Sequence, residues 1–112
     1  MRRFVAIACL AELSTAVLVA TAPAATPVYK GTVGPGFTIK LAKAPKKAGK
    51  AKIVVADLSS SHNFHLTGPG VNVKTSVGGK GTKTFTVTLE KGTYTYVCDP
   101  HKSFMKGSFK IR

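Results

Sequence analysis

Residues 83–89, Lys83-Thr-Phe-Thr-Val-Thr-Leu89, alternate strictly between polar and apolar side chains. Phe85, Val87 and Leu89 therefore share one face and Thr84, Thr86 and Thr88 the other, which is the period of a half-buried strand. Residues 93–98 repeat the pattern with Tyr94, Tyr96 and Cys98, and segments 37–41 and 107–111 do the same. Residues 53–56, Ile-Val-Val-Ala, form the continuous apolar run expected of a strand in the middle of a sandwich. Between these runs stand Gly34-Pro-Gly36, Gly68-Pro-Gly70, Gly78-Gly-Lys-Gly81 and Glu90-Lys-Gly92, turn sequences that supply positive φ or stop a ladder. From residue 25 onward no segment sustains a helical period, and no internal repeat is present. The pattern predicts one small all-β domain, a Greek-key β-sandwich, whose core buries roughly 60–65% of the unfolded surface.

The first residues follow a different logic. Arg2 and Arg3 precede a mostly apolar run over 4–20, and Ala22-Pro23-Ala24 matches an A-x-A cleavage site. Residues 1–24 read as a secretory signal peptide, leaving a single domain over 25–112. The competing reading is an uncleaved anchor. Against it, the run is at or below the length that spans a bilayer and contains Glu12. The expectation is a periplasmic or secreted protein with no membrane span after cleavage. Cys9 leaves with the leader, so Cys98 is the single cysteine of the domain. In an oxidising compartment a lone thiol calls for a partner, a reaction or a metal.

Charge narrows the partners. The chain carries 17 basic and 4 acidic residues, a formal net charge of +13, and removal of Arg2, Arg3 and Glu12 lowers this by only one. Much of the excess lies in Lys40, Lys43, Lys46, Lys47, Lys50 and Lys52, interspersed with Ala, Pro and Gly. This composition reads first as a solvated loop between strands and second as a docking surface for an acidic partner. With no interleaved aromatics and no recognition helix, it does not support specific nucleic-acid binding.

The chemistry sits near the end of the chain. Cys98-Asp-Pro-His101-Lys-Ser-Phe-Met105 places a thiol, an imidazole and a thioether within one short loop, just past an alternating strand. The two remaining histidines, His62 and His65, occur together upstream. Two His and one Cys in a trigonal arrangement with a weak axial Met are the ligands of a blue-copper centre. Zinc could use one Cys and two His, but the soft thioether favours copper. A buried free Cys and a Cys98–His101 nucleophile are weaker readings, because no third group orients the imidazole and no substrate cleft is indicated. His65 lies three residues from His62 and would point to the opposite face of a continuous strand. Both can reach one ion only if the strand ends or bulges between them.

Gly92-Thr-Tyr-Thr-Tyr-Val-Cys98-Asp-Pro-His101, followed by Met105-Lys-Gly107, resembles the C-terminal copper loop of the cupredoxins, in particular plastocyanin, pseudoazurin and amicyanin, and His62-Asn63 resembles their upstream ligand pair. The resemblance implies a cupredoxin-like sandwich holding one copper ion through His62, Cys98, His101 and Met105. Asn63 would tie the upstream ligand to the residue after the Cys, and His65 stands as the alternative ligand. It further implies a non-enzymatic, monomeric one-electron carrier that meets an acidic redox partner near His101, Pro100 and Phe104. The alternative is a copper protein that buffers or delivers the ion outside the cytoplasm. Three features depart from the family pattern. The Cys-x2-His-x3-Met spacing is one residue longer after the His than in amicyanin and one shorter than in plastocyanin. Asp99 occupies a position that usually holds Ser or Thr, adding negative charge that favours Cu(II). His65 is the third.

Overall fold

Alternation of apolar and polar side chains becomes two facing sheets. The structure is a computed structural model that describes residues 9–19 and 24–112. Arg2, Arg3 and the small residues Ala22 and Pro23, on which the leader reading rests, lie outside the described residues. Among the described residues eight strands follow in order: β1 (Val28–Val33), β2 (Ile39–Leu41), β3 (Gly49–Asp57), β4 (His65–Gly68), β5 (Val71–Lys74), β6 (Gly81–Leu89), β7 (Gly92–Val97) and β8 (Lys106–Ile111). One sheet has the order β2-β1-β3-β6, the other β5-β4-β7-β8. The β1–β3 pairing is parallel and every other pairing is antiparallel. The sheets approach again at their edges, β2 against β8 and β5 against β6. This is the all-β sandwich expected from the sequence.

In β3, Ala51, Ile53 and Val55 point inward while Lys50 and Lys52 face solvent, so the strand begins four residues before the apolar run that announced it. In β6, Val87 and Leu89 are buried and Thr84, Thr86 and Thr88 exposed. From the other sheet Leu66, Tyr94, Phe109 and Ile111 close the core. Each fully buried aliphatic contributes about 1.5–3 kcal/mol of transfer free energy. Tyr94 and Phe109 stack at 5.2 Å, and Phe64 stacks on Tyr96 at 5.4 Å. The Tyr94 hydroxyl donates to Pro69 O and accepts from the Glu90 N–H, both at 2.8 Å, which pins the turn between β6 and β7 to the one between β4 and β5. Such a tyrosine corner recurs in Greek-key sandwiches. Gly68 and Gly107 have no room for a side chain, because a Cβ there would enter the rings of Tyr94 and Tyr96 respectively.

The pattern misplaces one residue. Phe37 extends the alternation of Ile39 and Leu41 on paper, but β2 starts at Ile39. The Gly34 N–H bonds to Thr38 O at 2.9 Å, which closes the β1–β2 hairpin there and leaves Pro35, Gly36 and Phe37 in its loop. Phe37 is 65% exposed. That loop lies at the end of the sandwich where the candidate ligands gather.

Candidate metal centre

Two loops deliver the ligand side chains, and each is set by its own backbone bonds. After β7, the Cys98 N–H donates to Met105 O at 3.0 Å, so these two residues close the β7–β8 hairpin. Between them, Asp99–His101 form one 3₁₀ turn with Pro100 in the first turn, where the missing N–H costs nothing. The His101 N–H bonds to Cys98 O at 3.0 Å and the Met105 N–H to His101 O at 2.8 Å, folding His101 back over the thiol. The second loop crosses between sheets from β3 to β4. Asp57 accepts the Ser59 N–H at 3.1 Å and Ser59 Oγ accepts the Ser61 N–H at 3.1 Å, after which His62 enters the interior, 3% exposed.

The result is a compact triangle of donor atoms. His62 Nδ1 and His101 Nδ1 are 3.1 Å apart, and each lies 3.6 Å from Cys98 Sγ. Among the described residues these three form the cluster of His, Cys and acidic groups able to hold a metal ion. A point equidistant from the three atoms lies about 2.0 Å from each, close to metal–imidazole and metal–thiolate bond lengths. Thiolate and imidazole donors in a three-coordinate arrangement suit copper, so the residues fit the ion. Met105 is buried, 1% exposed, in the same cluster of side chains as Cys98.

His65 does not join the triangle. Its Nδ1 lies 2.8 Å from Asp99 Oδ1 and its Nε2 2.7 Å from Asn72 Oδ1, because His65 is the first residue of β4 and projects beside the strand that carries Asn72. Asn63 braces the same carboxylate: its Nδ2 donates to Asp99 Oδ2 at 2.7 Å and to Thr75 O at 3.3 Å, while its Oδ1 accepts the Asp99 N–H at 2.8 Å. The two ligand loops are thereby stapled through the residue that follows the thiol. Burial opposes ionisation of Asp99, but the hydrogen bonds from His65 and Asn63 and the charges of His65 and Lys74 outweigh it and hold the carboxyl below its ordinary range.

Two rings cover the imidazoles. Phe37 sits edge-on to His62 at 5.4 Å and to His101 at 5.1 Å, and Phe104 flanks His101 at 5.6 Å. Phe37 and Phe104 are both largely exposed, and their centroids are 5.8 Å apart. Sequence reading named Phe104 and Pro100 but missed Phe37. The signal was the Gly34-Pro-Gly36 turn directly before it, which ends a ladder instead of starting one.

Residues 39–112 match the family described as copper binding proteins, plastocyanin/azurin family. The chain belongs to that family of copper-binding proteins, and its His62–Cys98–His101 cluster is consistent with one copper ion. Among solved structures it is similar to dithionite-reduced auracyanin from the photosynthetic bacterium Roseiflexus castenholzii, at 17% identity and a TM-score of 0.55, covering 80% of this chain and 99% of that one. Reduced rusticyanin matches at 21% identity and a TM-score of 0.59 over 80% and 82%. A Met-to-Gln variant of amicyanin with Cu(I) matches at 20% and 0.51 over 76% and 82%. These likenesses bear on the fold. No curated protein matches the sequence.

Proposed function

We propose that this protein is an exported, mononuclear type 1 copper protein that carries electrons one at a time, with His62, Cys98, His101 and Met105 as ligands. The observation that carries the reading is the His62–Cys98–His101 triangle, whose donor atoms lie 3.1–3.6 Å apart on loops held by their own backbone bonds. When bound, copper supplies a centre that gains or loses one electron. The chain's own part is to keep its donors still. Cys98 and Met105 are locked across a hairpin, His101 is held by the turn between them, and Asn63 fixes the upstream loop to Asp99. A frame that moves little when the ion changes charge has a low reorganisation cost, which fast electron exchange requires.

His101 is half-buried, with the rings of Phe37 and Phe104 packed against its own and the exposed Pro100 preceding it in the chain. This apolar collar is the proposed contact for an acidic redox partner, in which the protein acts as a carrier and not as an enzyme. Residues 1–24 are the proposed export signal, which places the domain in the periplasm or outside the cell; no helix among the described residues is long and apolar enough to cross a membrane.

Voltammetry of the copper-loaded protein, followed by incubation of the reduced form with a Cu(I) chelator, tests the role. A carrier gives a reversible one-electron wave and keeps its copper through repeated cycles. Loss of the ion to the chelator on first reduction would assign the protein to copper delivery.

A further inference from the structure

Much of the positive charge lies at the pole away from the metal. β3 separates Gly49 from Asp57, which at ~3.3 Å per residue puts the loop over 42–48 about 26 Å from the ligand end. Lys43, Lys46, Lys47 and Lys50 are exposed on that loop and at the start of β3. Lys91, Lys110 and Arg112 come to the same pole, because Leu89 pairs with Gly49 and Gly92 with Ile111. Glu90 is the acidic residue there, whereas Asp57 and Asp99 both lie at the ligand end.

The chain also enters the domain at this pole. Pro27 O accepts the Lys52 N–H just ahead of β1. An acidic redox protein seated on these lysines would face copper across the length of the sandwich. Tunnelling rates fall exponentially with distance, so this pole is not where electrons are exchanged.

We propose that the basic pole is an adsorption surface for an anionic lipid bilayer, which holds the domain with the His101 and Phe104 end turned toward solution. Lys43, Lys46 and Lys47 rim an open depression beside Tyr29, and with Lys50, Lys91, Lys110 and Arg112 they spread single positive charges over the pole, which suits a laterally mobile sheet of negative headgroups. Attraction of this kind acts within a Debye length, ~10 Å at 0.1 M salt, so lysines on the facing pole count and those at the far end do not. The arrangement leaves the copper collar free while the lysines are occupied.

Co-sedimentation of the mature domain, residues 25–112, with phosphatidylcholine vesicles, with or without phosphatidylglycerol, tests this. The expected result is binding that requires phosphatidylglycerol, weakens with added salt and falls about tenfold or more in Lys43→Gln/Lys46→Gln/Lys47→Gln. The charge-matched control at the ligand end, Lys80→Gln/Lys83→Gln/Lys106→Gln, should bind within about twofold of the parent, because its lysines lie beyond the screening length. Equal loss in both triple variants would overturn the assignment to this pole. Equal binding to vesicles with and without phosphatidylglycerol would overturn it as well, since the lysine charge would then play no part. The assay is run on metal-free and copper-loaded protein, so its outcome stands apart from that of the copper chemistry.

Discussion

Asn63 shows how much of this site depends on single polar contacts. It is buried and makes bonds to both the backbone and the carboxylate of Asp99 and to Thr75 O. Asn63→Ala strands the Asp99 N–H and part of its carboxylate, and should lower stability in urea by about 2–3 kcal/mol. It should also loosen Cys98 relative to His62, seen as a broadened thiolate-to-copper band. Asp99 carries a pH signature. Its carboxyl is held low in the folded state, whereas an unfolded Asp titrates near ~3.9. Its contribution to stability is therefore complete above that value and is lost as pH falls through the lower, folded-state value. Urea midpoints of the metal-free protein should separate wild type from Asp99→Asn at neutral pH, begin to approach one another below about pH 4 and converge once pH falls below the folded-state value. With copper bound, removing this negative charge should raise the reduction potential, on the order of 100 millivolts for a charge several ångströms away at an effective dielectric constant of about 20. An unchanged potential in Asp99→Asn would show that the carboxylate is neutralised by its partners.

At the scale of elements, the hairpins do the positioning. Tyr94 links two turns at the pole opposite the ligands through its hydroxyl, while its ring packs in the core. Tyr94→Phe should therefore lower stability by about 1–2 kcal/mol in thermal or urea unfolding and leave the copper spectrum unaltered. Gly107→Ala should be more damaging and nearer the metal, since the Tyr96 ring lies across the missing side chain in the adjacent strand. The same elements differ in how plainly the sequence announces them. β6 and β7 are legible because each has one buried and one wet face, which writes a period of two into the chain. β1 and β5 were not foreseen: β1 breaks its pattern at Gly31, where a Cβ would press on Phe64 at 3.0 Å, and β5 spans four residues. The Cys98 to Met105 loop is legible because its donors are close in sequence. The His65–Asp99–Asn72 contact is not, because it depends on how β4 registers against β5 and how close β4 lies to the loop after β7.

The whole molecule is a sandwich with chemistry at one end and excess charge at both, heaviest at the other. Copper that binds the folded state but not the unfolded chain stabilises it by mass action. Thermal unfolding with Cu(II) should shift upward, by the equivalent of about 4 kcal/mol when free copper exceeds the dissociation constant a thousandfold. Cys98→Ser should remove most of that shift. Net charge sets long-range behaviour in turn, so association with any acidic partner should slow steeply as salt rises.

The most direct test of the central claim is the visible absorption and electron paramagnetic resonance spectrum after addition of one equivalent of Cu(II), recorded for wild type, Cys98→Ser, His62→Ala and His65→Ala. The expected result is an intense blue or green thiolate band with narrow hyperfine splitting, absent in Cys98→Ser, lost in His62→Ala and retained in His65→Ala. A weak tetragonal spectrum that survives His62→Ala and depends on His65 would contradict it.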